Sequence, residues 1–157
     1  MQTAYITHPD FIKHDMGPDH PESPARIHAS EDQLIASGLF NYLEHHQAPA
    51  ASKEQLARVH THAYIDWVYK HSPKVGLIDL DGDTAMNPFS LSAALHAAGA
   101  VVEGVNLVMA GKIKRVFCNV RPPGHHAKRS QSAGFCIFNN VAVAAAHALQ
   151  YLSLIHI

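Results

Sequence analysis

Much of what would assign this chain to a class directly is scarce in it. Two cysteines, Cys118 and Cys136, cannot build a disulfide framework in 157 residues. They read as reduced, buried thiols of a cytoplasmic protein. There is no basic stripe or Lys/Arg run, and 12 basic against 13 acidic residues leave a formal net charge of −1. Direct nucleic-acid binding is therefore not expected. The longest uninterrupted apolar run, Val141 to Ala146, is far too short to span a membrane. The N-terminus, MQTAYITHPD, has neither a basic n-region nor an apolar h-region, so no secretory signal is read there. No internal repeat or low-complexity segment interrupts the chain, and its length suits one domain with a sizeable core.

Histidine is what the chain has in excess, 14 in all. The count alone implies no metal; spacing and context decide that. His45 and His46 fall in a polar connector, and His96 and His147 lie inside helical patterns, where a satisfied or solvated imidazole is the simpler reading.

The elements alternate. TAYIT, residues 3–7, reads as a short strand, and 8–23 as a long loop rich in Pro, Gly, Asp and His. Loops of that length in a compact domain are usually functional or disordered. Ser23 as N-cap, Pro24 at the first helical position and Gly38 as a stop frame a helix. Ser52 and Gln55 have capping-box spacing and open another. Tyr64, Ile65, Val68 and Tyr69 recur at helical spacing until Pro73. Residues 76–88 pass from a strand fragment into an acidic loop. From 88 to about 110 a long helix carries the stripe Leu91, Leu95, Ala98, Val102, Val105 and Met109, closed by Gly111. KRVFCNV, 114–120, has buried-strand character, and a last helix covers 140–152. This alternation predicts an α/β architecture with a mainly parallel sheet. Sites in such sheets lie at the carboxyl ends of the strands.

Strand 114–120 ends on RPPGHHAKRSQSAGFCIFNN, residues 121–140. Adjacent residues cannot share one helix face, but on a loop the His125 and His126 rings can converge on one small volume. A neutral imidazole can take a proton from water and return it to a leaving amine, while a second supplies charge. Pro122, Pro123 and Gly124 stiffen the approach. The bland alternative is a chance pair on a surface loop, as His45–His46 would be.

The motif RPPGHHA, followed by GFCIFNNVAVAA, resembles the histone deacetylase family, most closely its class II-like and bacterial members and the acetylpolyamine amidohydrolases. HDMGPDHPESPARI and DLDGDTAMNP match two further stretches of the family pattern in order. The resemblance implies an arginase/deacetylase-like three-layer fold and zinc-dependent hydrolysis of acetyl-lysine or acetylated amines. Residue by residue, it implies that His126 is the general base and then acid, with His125 its electrostatic partner. Gly134 would contact the substrate near the scissile amide, and Phe135 would wall the channel that holds the acyl-lysine-like chain. One of the rim carboxylates would grip the substrate backbone, Asp83 before Asp81 because of its place ahead of Thr84. His20 and Arg26 fall on the pattern as supporting residues, Arg26 near the inner end of the channel. Cys136 would lie beside the site and is not expected to be a nucleophile. Asp79, Asp81 and Asp83 also open like a calcium loop, but Ser90 stands at the twelfth position, where such a loop needs Glu.

The resemblance also implies an incomplete fold. The family's zinc ligands, an Asp-x-His and a later Asp, come after the last helix, yet no Asp or Glu follows Asn140. Zinc is therefore expected in the full-length family and not on this chain alone. Residues 1–152 are expected to be the N-terminal portion of a deacetylase-like domain, inactive by itself, with 153–157 an atypical tail. Open sheet edges would favour self-association. Two alternatives stand beside the enzyme fragment. One is a non-catalytic acyl-lysine-binding or interaction module. The other is a small metal-binding protein using His8, His14, His20 and the His125–His126 pair.

Overall fold

A computed structural model describes residues 3–151. The tail expected at 153–157 and the last residue of the helix expected over 140–152 lie outside the described residues. Strands β1 (Thr3–Thr7), β2 (Leu43–Gln47) and β5 (Arg115–Cys118) form a sheet in the order β2-β1-β5, with both pairings parallel. Helices α1 (Ala25–Ala36), α2 (Lys53–Ala57), α3 (His62–His71), α4 (Ser90–Met109) and α5 (Asn140–Ala148) complete an open α/β fold. A small antiparallel hairpin, β3 (Ile78–Asp79) and β4 (Ala85–Met86), carries the acidic turn.

Alternation along β1 builds the layers. Ala4 and Ile6 are fully buried in one cluster with Ala93 and Ala97 of α4. Tyr5 points to the other face, where its hydroxyl donates to Glu31 of α1 at 2.8 Å. A second core lies on the far side of α4, where Leu56, Ile65 and Val68 are fully buried with Ala94, Ala98 and Ile137. Each large aliphatic there stabilises the fold by roughly 1.5–3 kcal/mol.

Helix α4 is thus sandwiched, and its buried surface differs from the expected stripe. Ala98 and Val102 are buried, but Leu91, Leu95 and Val105 are only half-buried and Met109 is 38% exposed. The most buried positions are small: Ser90, Ala93, Ala94, Ala97, Ala98, Gly99 and Ala100. Small side chains let both layers approach closely. A Cβ on Gly99 would lie 1.9 Å from the Pro49 carbonyl oxygen. By length and composition α4 could cross a bilayer, yet half of its most apolar window is buried within the protein, as in a core helix.

Several boundaries move. Pro24 is the N-cap of α1 and Ala25 its first residue, and Ser23 makes no side-chain cap. Gly38, with φ +72°, follows the helix end as expected. The Ser52–Gln55 capping box is present. Helix α4 begins at Ser90, two residues after Pro88, and α5 ends at Ala148. The early loop contains a 3-10 turn, Pro9–Lys13. The polar connector at 43–47 is in fact strand β2. An edge strand needs no apolar alternation, which hides it; His45 there packs on Tyr5 at 5.4 Å between ring centroids.

Candidate active site

The loop from β5 to α5 leaves the carboxyl end of the sheet and is stitched at both ends. The Asn119 amide donates to the Ile6 carbonyl at 3.0 Å. The Arg121–Pro122 peptide is cis. At the far end the Asn139 side chain caps α5, accepting from the Ala142 amide at 2.9 Å, and donates to the Ala127 carbonyl at 2.9 Å. The Val141 amide donates to the Gly124 carbonyl at 3.0 Å, and Gly124 packs so closely on Asn140 that a Cβ would come within 2.2 Å of its side chain. Buried His60 braces the middle, with Nε2 accepting from the Asn139 amide at 2.9 Å.

Beneath the loop, Arg121 is fully buried. Its Nε and Nη2 donate to the two Glu22 carboxylate oxygens at 2.6 and 2.7 Å, and its Nη1 donates to the Phe11 and His14 carbonyls at 2.6 and 2.9 Å. A bidentate pair with its remaining donors satisfied can sit in an interior. Arg26 donates to the Val120 carbonyl at 2.6 Å and lies 3.5 Å from Glu22. The long early loop is therefore pinned under the histidine loop. Burial pushes His14 down to about 4, against the pull of Glu22, so it is neutral and bonds Ser90 Oγ at 2.7 Å.

His125 and His126 stand on this base. Their ring centroids are 4.1 Å apart, tilted by 50°, and both residues are exposed. Among the described residues neither ring makes a hydrogen bond. The His125 amide donates to Cys136 Sγ at 3.4 Å, and the thiol donates to the Gly134 carbonyl at 3.2 Å. Ala133 and Cys136 exchange both backbone bonds around Gly134 and Phe135, at φ +54° and +67°. Phe135 is the sole non-glycine with positive φ among the described residues, a local strain held by its surroundings. Gly134 leaves room for His126: a Cβ there would lie 2.7 Å from His126 Cδ2.

The acidic turn closes on the same place. The Phe135 amide donates to Oγ1 of buried Thr84 at 3.0 Å, and that hydroxyl donates to the exposed Asp83 carboxylate at 3.2 Å. His20 Nε2 lies 3.2 Å from the Asp83 carbonyl, and its ring meets Phe135 edge-on at 4.6 Å. Asp81 folds the turn, accepting from the Asp83 and Thr84 amides at 3.2 and 2.9 Å. Burial works to raise its carboxyl, but the Ser132 hydroxyl and the Asp83 and Thr84 groups outweigh that and hold it below the usual range.

His20, Asp83, Gly134, Phe135, Cys136, His125 and His126 are thus joined by a chain of direct contacts. Asp81 supports them from the turn, and Arg26 from below. Thr84, His60, Arg121 and Asn139 escaped the sequence reading, because their partners lie 51, 79, 99 and 12 residues away along the chain. Arg121 stood in the quoted motif, yet nothing local shows that it faces Glu22. The four-site histidine alternative does not assemble: His14 is buried on Ser90 and His20 is engaged with Asp83.

The family model for the histone deacetylase domain matches residues 20–157. A probable deacetylase of Archaeoglobus fulgidus is 36% identical over 148 residues, covering 91% of this chain and 40% of that protein. The chain belongs to the histone deacetylase family. Among other relatives, the human polyamine deacetylase HDAC10 is 36% identical over 160 residues, covering 96% of this chain and 24% of that protein. The crystal structure of the HDA15 HD domain superposes with a TM-score of 0.88 at 33% identity, covering 96% of this chain and 44% of that one. The chain thus spans less than half the length of these histone deacetylase relatives. Zinc chemistry needs ligands in number, and three in the protein is the usual minimum. Among the described residues, no third His, Cys, Asp or Glu completes a ligand cluster with His125 and His126, so the pair by itself does not fit a zinc centre.

Proposed function

We propose that this chain supplies the acid–base and substrate-contacting half of a zinc-dependent deacetylase site, and that it is inactive by itself. The observation that carries this reading is the exposed His125–His126 pair, 4.1 Å apart on a loop anchored at both ends and by a buried ion pair. In the proposed roles His126 takes a proton from water and returns it to the leaving amine, and His125 supplies charge beside it. Phe135 lines the acyl chain, the Gly134 backbone meets the substrate near the amide, and Asp83 offers a carboxylate at the rim. Zinc and its ligands belong to the portion of the relatives that this chain does not span. Substrates are acetylated lysine or acetylated polyamine, the latter in keeping with the name of the human relative. The proposed setting is the cytoplasm. A second copy is the proposed partner at the open edge of β5, beside an apolar groove lined by Val105, Val108, Val116 and Cys118.

Hydrolysis of an acetyl-lysine peptide and of an N-acetylated polyamine, each with added Zn(II), tests the reading. The 157-residue chain releases no acetate. A polypeptide of the relatives' length that begins with this chain does release it, and His126→Ala lowers its kcat/KM by at least about a hundredfold. Turnover indifferent to His126→Ala refutes the assignment.

A further inference from the structure

A second cluster of titratable groups lies outside the site just described. His8 leaves the carboxyl end of β1, Asp10 follows in the 3-10 turn, and His96 projects from α4. The two rings stack, with centroids 3.5 Å apart and planes within 10°. One ligand atom from each of the three residues lies within 4.8 Å of the others, and all three residues are half-buried. The outer bonds of His96 and Asp10 orient these two as ligands. His96 Nδ1 lies 2.9 Å from the Ala48 carbonyl, which can only accept, so Nδ1 carries the proton and Nε2 presents a bare lone pair. Asp10 Oδ2 accepts from Ser92 Oγ at 2.6 Å, and Oδ1 is held by Lys13 at 2.6 Å. His8 Nδ1 lies 3.8 Å from Asp10 Oδ2, near the spacing of two ligands across a shared ion.

We propose that His8, Asp10 and His96 form a binding site for a first-row divalent transition metal, with zinc the leading candidate. Two imidazoles and one carboxylate suit Zn(II), Co(II), Ni(II) or Cu(II) and not the oxygen-seeking Mg(II) or Ca(II). Ligand atoms around tetrahedral zinc stand about 3.4 Å apart. Parallel stacked rings cannot both aim in-plane lone pairs at one point. Binding therefore unstacks the pair, and His8 gives up the 3.2 Å bond that Nδ1 accepts from the Asp10 amide. Lys13 faces the site and opposes the cation, which limits affinity. The bound ion clamps the early loop, which carries Glu22 and His20, onto α4. The site shares no residue with the His125–His126 centre.

Titrating Zn(II) and Co(II) into the full chain decides the matter. One saturable equivalent is expected, with Co(II) d–d bands and no thiolate charge-transfer band. His96→Ala and the near-isosteric Asp10→Asn each weaken binding at least tenfold, while a His125→Ala/His126→Ala variant binds as the parent does. Far-UV circular dichroism confirms that each variant folds; if His96→Ala does not, Asp10→Asn carries the comparison. The absence of a saturable equivalent, parental affinity in both site variants, thiolate bands, or loss of binding in the His125/His126 variant each overturns the proposal and leaves the stacked rings as packing only.

Discussion

Glu22→Ala is the most informative single perturbation of this fold. It removes the partner of a guanidinium that is fully buried, and two of Arg121's bonds, at 2.6 and 2.7 Å, go with it. The Phe11 and His14 carbonyls remain, but they carry no charge to compensate a buried cation. Breaking a buried pair from one side costs about 3–5 kcal/mol. That is a large share of the roughly 5–15 kcal/mol that holds a domain together. With a urea m-value of about 2 kcal/mol per molar, the midpoint should fall by about 2 M. The assay is equilibrium urea unfolding followed by far-UV circular dichroism. Adding Arg121→Met removes the stranded charge and fills its volume, so the double variant should recover at least about 1 kcal/mol of the loss. A Glu22→Ala midpoint within experimental scatter of the parent would refute the reasoning. So would a double variant that falls below the parent by the sum of the two single-variant losses, because either result means that Glu22 and Arg121 are not energetically coupled.

Other outcomes follow from the same geometry. Gly134→Ala places a methyl 2.7 Å from His126 Cδ2 at a left-handed φ of +54°; it should cost about 1–2 kcal/mol in thermal or urea unfolding and shift the His126 ring resonances, and unchanged resonances would contradict the close approach. His14 is held at about 4 folded against 6.5 as an ordinary imidazole. The unfolded chain then binds the extra proton between those values, so the His14 contribution to stability falls as pH drops from about 6.5 toward 4, by about 3 kcal/mol, and is level above that window. Urea midpoints at pH 7 and pH 4.5 should differ by at least the greater part of this contribution, and His14→Gln should reduce the difference, with buried His60 still contributing in the same direction; a difference unchanged by His14→Gln would assign the effect elsewhere. Self-association along β5 should appear in sedimentation velocity as a concentration-dependent shift that Val105→Lys abolishes, and a concentration-independent monomer would remove that part of the proposal.

How much was legible in the sequence depended on how local the determining physics was. The Ser52–Gln55 box, the glycine stop after α1 and the strand at 3–7 rest on neighbours within a turn or on short-range alternation, and they stand where expected. The strand expected over 114–120 is shorter, Arg115–Cys118, and is not buried as expected, because β5 lies at the edge of the sheet with Arg115 and Phe117 exposed. Strand β2 escapes such local reading, since its partner β1 lies some 40 residues earlier and its exposed edge tolerates Glu44 and His46. The stripe on α4 is buried only at Ala98 and Val102 for a related reason. Periodicity finds large apolar residues, but a helix pressed between two layers buries its smallest ones.

The sequence by itself determined the α/β class, the family and the candidate residues, because alternation, capping and a dense loop motif are written in contiguous letters. The tertiary structure alone decided what those residues stand on. Arg121 meets Glu22 across 99 positions, Thr84 reaches Phe135 across 51, and His8 stacks on His96 across 88. Such contacts depend on the order in which strands pair and on the way small side chains let α4 sink between its neighbours, and no local pattern encodes either.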